Sequence, residues 1–287
     1  LEDVNGALDK LNAYADKTIY NFTEMTRNIG TFTAAGVDLD TSVNAIQGIA
    51  NLAAVSGSTS QQASTAMYQL SQALAAGKVS LMDWNSVVNA GMGGQVFQDA
   101  LKETSRLMVQ QAKDLKGMGE AQREAWQTAH GYSDEQMKSM MSYSANVDDL
   151  IKKHGSFRES LTEGWITADV LTMTLNKMTK TGVIDYVMDM TGATREAVTE
   201  LQTLGDTYGY DSEQVLELAT SLAKGDEAMA KSVIETVKMA TTAEDAATKV
   251  KTFTQLMDTL KEASQSGWTQ TWEMLIGDFE EAKELWT

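Results

Sequence analysis

The sequence contains neither cysteine nor proline, and it has only two histidines among 287 residues. Without cysteine, the chain has no disulfide scaffold, no thiolate metal site and no cysteine nucleophile. At the average usage of about 5%, roughly 14 prolines would be expected in a chain of this length. Because proline fixes turns and interrupts helices, its absence favours long helices joined by few rigid turns.

Positive charge is also scarce. The chain has 23 lysines and arginines against 40 aspartates and glutamates, which gives a formal net charge of −17. Such a chain repels phosphate backbones and anionic lipid surfaces. We therefore expect no sequence-specific binding of nucleic acid. The chain also starts at Leu1 within a periodic pattern and shows no signal peptide, so we expect it to be a piece of a longer polypeptide.

The sequence lacks a recognisable catalytic or metal-binding constellation. His130 and His154 match no zinc-binding spacing, and each lies beside a glycine where a structural role suffices. The cluster Gly91–Gly94 lacks the lysine and hydroxyl residue that end a phosphate-binding loop, and it is interpreted as a hinge. No pair of carboxylates stands out from the acidic background. We predict that the chain is not an enzyme and has no catalytic, cofactor-binding or metal-ligating residue.

A heptad pattern occupies the first part of the chain. Nine of ten core positions up to residue 32 are apolar, at the alternating spacing of three and four that is typical of a coiled-coil seam. These positions are Leu1, Val4, Leu8, Leu11, Ala15, Thr18, Phe22, Met25, Ile29 and Phe32. We predict one near-continuous helix over residues 1–35 that self-associates through this seam, which is about 48 Å long. The alternative is an amphipathic helix that covers a globular core.

Charge nearly disappears in the next stretch. Residues 41–98 contain only Lys78 and Asp83, so the remaining 61 of 63 charges lie elsewhere. The polar run Ser56–Gln62 interrupts the stretch and argues against a transmembrane helix. We predict a packed helical hairpin with two apolar stripes, and insertion into a membrane after a conformational change is the alternative. The stripes are Val43, Ile46, Ile49, Ala50 and Ala53, and Ala63, Ala66, Met67, Leu70, Ala73 and Leu74.

Two junctions between helices carry similar residues. At the first, Gly77 ends one helix, and Ser80 with Asp83 forms a capping box for the next. The run Gly164–Asp169 repeats the glycine, the β-branched residue and the hydroxyl at the same offsets. This repetition reflects either a distant internal duplication or the common chemistry of helix caps.

The last third of the chain is predicted to form short capped helices. Thr194 begins a helix that Gly205 and Gly209 break. Asp211 with Gln214 caps another, and Gly225 with Asp226 restarts a third. Aromatic and aliphatic residues then share one predicted helical face, while acidic residues lie elsewhere on that helix. We predict that this face docks to another protein, and burial within the same chain is the alternative. Its members are Trp268, Trp272, Leu275, Ile276, Phe279 and Trp286.

Several of these segments resemble the tail tape measure proteins of siphophages. The similar runs are Gly77–Ser80, Asp83–Gly94, Leu101–Thr104, Lys153–Leu161, Gly164–Thr167, Ala246–Glu262, Gly267–Trp268 and Gly277–Lys283. We predict an all-α chain in three parts: a coiled-coil or rod helix over 1–35, a tape-measure-like domain of capped hairpins over 36–182, and a C-terminal helical segment over 183–287.

The resemblance implies a function that composition does not. It implies a structural part of a tape measure protein that sets tail length during assembly, when it is in the host cytoplasm. It further implies residence in the tail lumen, contacts with tail tube and tail-tip proteins, and expulsion ahead of DNA at infection. The alternative is a helical interaction module of a cellular or secreted rod-like protein.

Overall fold

The computed structural model describes residues 2–20, 22–34 and 36–265, and this part of the chain is helical without any strand. Within these residues there are fifteen α-helices and one short 3₁₀ helix, and 79% of the described part is α-helical, which confirms the predicted all-α class. The first eight helices are α1 Glu2–Lys17, α2 Phe22–Ala34, α3 Leu39–Val55, α4 Ser60–Ala75, α5 Leu81–Asn89, α6 Gln95–Gly117, α7 Glu120–His130 and α8 Asp134–Ser142.

The remaining helices are short except for the last one, which is much longer. They are α9 Val147–His154, α10 Phe157–Ser160, the 3₁₀ helix Leu161–Glu163, α11 Ala168–Asn176, α12 Gly182–Thr191, α13 Arg195–Tyr208, α14 Glu213–Leu222 and α15 Glu227–Gln265. The 39 residues of α15 correct the expectation that only short helices occupy this part of the chain.

The predicted single helix over residues 1–35 is wrong. Helix α1 ends at Lys17, three bends follow at Thr18–Tyr20, and α2 begins at Phe22. Thr18 is the polar exception in the heptad pattern, and its buried hydroxyl donates to the carbonyl oxygen of Tyr14 at 3.0 Å. The break lets α1 pack on α3, while α2 packs on both α3 and α4. A straight rod could not place both apolar faces on the same core.

The predicted hairpin is confirmed as α3 and α4, whose apolar stripes are buried. Thr59 caps α4 in a capping box with Gln62. Helix α3 is central, because α1, α2, α4, α11 and α15 all pack against it. At Gly48 the approach of α11 is so close that a Cβ atom would lie 2.0 Å from the carbonyl oxygen of Leu175. Only glycine fits this helix crossing without a shift of backbone.

The two similar junctions of the sequence lie against each other. The amide of Val79 donates to the carbonyl oxygen of Ile166 at 2.9 Å, and the amide of Ala168 donates to that of Gly77 at 3.0 Å. Ser80 caps α5 and Thr167 caps α11, as their hydroxyl chemistry predicts. This short antiparallel pairing joins the start of α5 to the start of α11.

Two main hydrophobic cores result. The first spans residues 7–178 and also takes Ala247 from α15, and the second spans residues 183–240. A smaller cluster consists of Leu115 on α6 and of Met137 and Met140 on α8. Helix α15 packs on α12, α13 and α14 and then on α3 and α1, so it contacts both main cores. The division of the chain at residues 35 and 182 stays a prediction.

Two local expectations in the second core are corrected. Gly205 does not interrupt α13, which continues to Tyr208 and ends at Gly209, as predicted for the second glycine. The missing side chain at Gly205 leaves room for the ring of Tyr210. The residue that begins α14 is Ser212 rather than Asp211. The restart at Asp226 is confirmed, since its carboxylate accepts the amide of Met229 at 3.0 Å.

Candidate interaction surfaces

Most of the predicted N-terminal seam faces the interior of its own chain. Leu11, Met25, Ile29 and Phe32 are buried in the first core, and Leu8 is half-buried. Val4 is 47% exposed. The side chains of Leu1 and Phe22 lie outside the described residues, as do those of Trp268, Trp272, Phe279 and Trp286. Self-association through the seam and docking of the tryptophan face therefore stay predictions, and the coiled coil is not confirmed.

A chain of buried hydrogen bonds explains why α1 docks on α3. The hydroxyl of Tyr14 donates to Oδ1 of Asn51 at 2.6 Å, and Nδ2 of Asn51 donates to the carbonyl oxygen of Met178 at 2.9 Å. Burial raises the pKa of Tyr14 well above its usual value, so the phenol stays a donor. Asn51 was missed in the sequence, where its only signal is an amide inside an apolar stripe.

A buried lysine lies where the first core ends. Lys177 is fully buried, and its ammonium lies 3.2 Å from Oε2 of Glu103 and 3.3 Å from the hydroxyl of Tyr186. The same ammonium lies 4.4 Å from the centre of the Tyr186 ring, within the range of a cation–π contact. Because a buried charge without such partners is costly, Lys177 fixes α6 and α12 on the end of α11.

A second set of polar contacts holds the segment that follows. The ammonium of Lys180 pairs with Asp206 at 3.0 Å, and its amide donates to Oε2 of Glu244 at 3.1 Å. The side chain of Gln202 donates to the Lys180 carbonyl oxygen at 3.1 Å. Helices α13 and α15 therefore both contact the segment that connects the two cores.

His130 belongs to an aromatic and polar cluster that joins the α7–α8 turn to α12. Its ring stacks on Trp126 at 4.0 Å, and its Nδ1 lies 2.7 Å from the Trp126 carbonyl oxygen, which fixes the proton on Nδ1. Its Nε2 lies 3.4 Å from Oδ1 of Asp189, and the hydroxyl of Tyr132 donates to Oδ2 at 2.9 Å. Burial raises the pKa of Asp189 to about 6. These contacts connect the end of α7 and the α7–α8 turn to α12.

A groove of about 490 Å³ lies between α6 and the segment before α9. Arg106, Lys113 and Lys116 line one wall, while Val109 and Val147 supply apolar surface. Arg106 is engaged in a two-pronged ion pair with Asp148 at 2.6 and 2.9 Å. The hydrogen bond from Arg106 lowers the pKa of Asp148. The groove thus concentrates cations that are rare in this acidic chain.

A smaller groove of about 240 Å³ lies between α4 and α5, and its lining residues are uncharged. Gln61 and Thr65 of α4 face Ser86 and Asn89 of α5 across it. Ser58 ties the two sides together, since its hydroxyl donates to the Ala90 carbonyl oxygen at 2.7 Å. Exposed amides and hydroxyls can donate and accept hydrogen bonds, so the groove suits a neutral, polar partner surface.

No group of three or more histidine, aspartate or glutamate side chains in the described residues could hold a metal ion. None of the helices in the described ranges is long and apolar enough to cross a membrane. The buried polar groups described above are engaged in contacts between helices. The notable features of the described part of the chain are therefore these contacts and the surface grooves.

Comparison with known proteins adds the family. Residues 1–121 match a family model described as tape measure protein, and the match covers α1 to α6 and the first residues of α7. No curated protein and no solved structure matches the chain. This part of the chain is therefore similar to the tape measure protein family. The resemblance read from the sequence is confirmed over these residues.

Proposed function

We propose that this chain is a structural part of a phage tail tape measure protein that sets tail length during assembly. The family match over residues 1–121 is the observation that supports this role. In this proposal the protein is made in the host cytoplasm, occupies the lumen of the tail tube, contacts tube and tail-tip proteins, and leaves ahead of DNA at infection. Its net charge of −17 favours release, because an acidic chain binds the genome weakly.

We propose that two kinds of segment contribute differently to the measured length. An extended helix adds about 1.5 Å per residue to the reach of a chain. Most helices described here instead fold back on one another around two cores, so they contribute little length per residue. We therefore propose that this region anchors or organises the ruler, and that regular rod elsewhere in the same protein supplies most of the length.

Electron microscopy of tails from deletion mutants tests this division. Removing about 100 residues of regular rod should shorten tails by about 150 Å, since each helical residue contributes about 1.5 Å. A deletion of equal length that removes the second core, together with its contacts to α15, should give failed assembly or a disproportionately small shortening. Tails of unaltered length after the rod deletion would overturn the proposed role in setting tail length. Proportional shortening by both deletions would overturn the anchoring role.

A further inference from the structure

The cluster that joins the end of α7 to α12 contains buried polar atoms that no described group satisfies. Gln111 of α6 is buried, and neither its amide oxygen nor its amide nitrogen has a hydrogen-bond partner among the described residues. The side chain of Asp189 is 3% exposed, and its Oδ1 likewise has no hydrogen bond within the described ranges. Because buried polar atoms are normally satisfied, these exceptions need a physical explanation.

His130 presents a further acceptor to the same carboxylate oxygen. Its Nδ1 carries the ring proton and lies 2.7 Å from the carbonyl oxygen of Trp126, so Nε2 of the neutral ring has a free lone pair. This Nε2 lies 3.4 Å from Oδ1 of Asp189. Two acceptors that face each other repel unless a positive charge lies between them.

The separation of 3.4 Å fits a metal ion better than a direct hydrogen bond. An N–H donor and its oxygen acceptor normally lie about 2.7–3.2 Å apart. Zinc binds histidine nitrogen and carboxylate oxygen at about 2.0–2.2 Å, and two ligand atoms about 2.1 Å from a tetrahedral ion lie about 3.4 Å apart. The two atoms therefore have the spacing expected of neighbouring ligands on one ion.

Helix α6 supplies a third ligand. Burial raises the pKa of Asp189, and the amide of Gln111 partly opposes that rise, so Gln111 lies beside this carboxylate. A half-turn about its last bond exchanges the amide oxygen and nitrogen, which lets the oxygen face the same point. Since one histidine, one carboxylate and one amide meet here, the site does not need the group of three histidine or acidic side chains that the described residues lack.

The outer contacts of two ligands also match those of metal sites. A histidine that binds a metal usually donates its other ring N–H to a carbonyl or carboxylate oxygen, as His130 does to Trp126. A metal-binding carboxylate is in turn hydrogen-bonded, as Oδ2 of Asp189 is by the hydroxyl of Tyr132 at 2.9 Å. Both contacts hold the ligand atoms in their orientation.

We propose that Nε2 of His130, Oδ1 of Asp189 and the side-chain oxygen of Gln111 bind one divalent transition-metal ion, with water in the fourth position. A nitrogen ligand favours such ions over Mg²⁺ and Ca²⁺, which prefer oxygen. The ion joins α6, α7 and α12, which carry one ligand each. The sequence predicted no metal ligand, because ligands far apart in the chain have no recognisable spacing. The proposal does not depend on the tail role, so the two can fail separately.

Titration of the full chain with Zn²⁺ tests the site, after a chelator has removed bound metal. At about pH 7.5 and about 0.15 M salt, which screens the diffuse attraction of cations to an acidic chain, we expect one ion per chain with a Kd below about 10 µM. His130→Ala and Asp189→Asn should each weaken binding at least about 10-fold.

His154→Ala is the matched control, because the chain has only two histidines. Nε2 of His154 also faces a carboxylate, but it lies 2.7 Å from Oε1 of Glu163, which is a direct hydrogen-bond distance. This variant should bind Zn²⁺ like the parent. Co²⁺ in place of Zn²⁺ should give the strong visible absorption of a four-coordinate ion, which His130→Ala removes and His154→Ala keeps.

Two variants of the third ligand test the site without disturbing the histidine or the aspartate. Gln111→Leu removes the amide and should weaken Zn²⁺ binding at least about 10-fold. Gln111→Glu supplies a charged ligand and should tighten it at least about 10-fold, because affinity rises with ligand charge. Circular dichroism shows whether each variant has kept the helical fold, so these two variants decide if His130→Ala or Asp189→Asn unfolds the chain.

Four results would overturn the proposal. The first is the absence of one-to-one Zn²⁺ binding by the full chain, and the second is Co²⁺ that binds without four-coordinate absorption. The third is binding that His130→Ala leaves unchanged or that His154→Ala weakens equally. The fourth is equal binding by Gln111→Leu and Gln111→Glu.

Discussion

The two main cores are built from different side chains. The first buries aromatic rings, including Trp84, which lies 5.7 Å from Phe97 and 4.9 Å from Phe157 between ring centres. The second buries only valine, isoleucine, leucine and alanine among its fully buried members. Large packed rings make the first core sensitive to lost volume, whereas the second core buries no such ring in its cluster. The comparison shows that the two cores should respond differently to the removal of one side chain.

The largest expected effect comes from removing a ring of the first core. Phe97→Ala should lower the free energy of unfolding by about 3–5 kcal/mol, because it leaves a cavity beside Trp84. In the second core, Val237→Ala should cost about 1.5–3 kcal/mol, since fewer buried carbons are lost. Urea unfolding followed by circular dichroism measures both. Equal losses would show that the two cores do not differ in this way.

Two buried glycines, one in each region, allow a second comparison of the two cores. Gly48→Ala should destabilise the first core by about 1–3 kcal/mol, because the new methyl group meets the backbone carbonyl of Leu175. Gly205→Ala meets the ring of Tyr210, a side chain rather than backbone, and alanine favours the helix by about 1 kcal/mol, which offsets part of the cost of moving the ring. We therefore expect a smaller loss at Gly205 than at Gly48. Thermal unfolding of the two variants decides, and a larger loss at Gly205 would contradict this account.

The cluster between the α7–α8 turn and α12 should make stability depend on pH. Burial raises the pKa of Asp189 from 3.8 to about 6, so between these values the folded chain binds a proton that the unfolded chain releases. Stability from this group is greatest below pH 4 and falls, by on the order of 2 kcal/mol, as pH rises to about 6. Asp189→Asn should remove this slope, while Tyr132 still donates to the amide oxygen.

The control for this prediction is Asp185→Asn on the same helix. Asp185 is exposed and pairs with Arg195, and its charge raises the pKa of Asp189 less than burial does, so its loss should leave most of the slope between pH 4 and 6 in place. Urea midpoints measured across this range give the slope for each variant. The assignment to Asp189 fails if Asp189→Asn retains the parent's slope.

The smallest effects concern helix caps in the two cores. The hydroxyl of Ser80 accepts the amide of Asp83 at 3.3 Å, so Ser80→Ala should cost about 1 kcal/mol. Ser212 begins α14 without such a bond, and its buried hydroxyl oxygen has no partner. Ser212→Ala should therefore be neutral or slightly stabilising. Denaturation midpoints of the two variants are compared, and an equal loss at both serines would refute the distinction.

Local signals in the sequence predicted local structure well. The α3–α4 hairpin follows from apolar periodicity, and the caps at Ser80, Thr167 and Thr194 follow from hydroxyls that precede helical patterns. The break at Thr18 and the length of α15 were not predicted. Both depend on tertiary packing, because a heptad pattern describes a face without saying whether its own chain or another covers it.

The candidate surfaces were only partly visible in the sequence. The scarcity of charge in residues 41–98 could be counted directly, but the fold was needed to show that Tyr68 and Met82 are exposed. Lys177 and Asp189 look like any other charged residue in an acidic chain, and only the fold buries them. Contacts between residues far apart in sequence leave no periodic trace, so patterns cannot reveal them.

The path of α15 along both cores has a mechanical consequence. The helix is about 58 Å long at 1.5 Å per residue, and it passes from the second core to the first near Glu244. A pull along its axis loads its contacts with α3, α12 and α14 in shear, so that they resist together. A pull at right angles loads them one turn after another and peels the helix away. The direction of an applied force therefore decides whether the two cores separate abruptly or gradually.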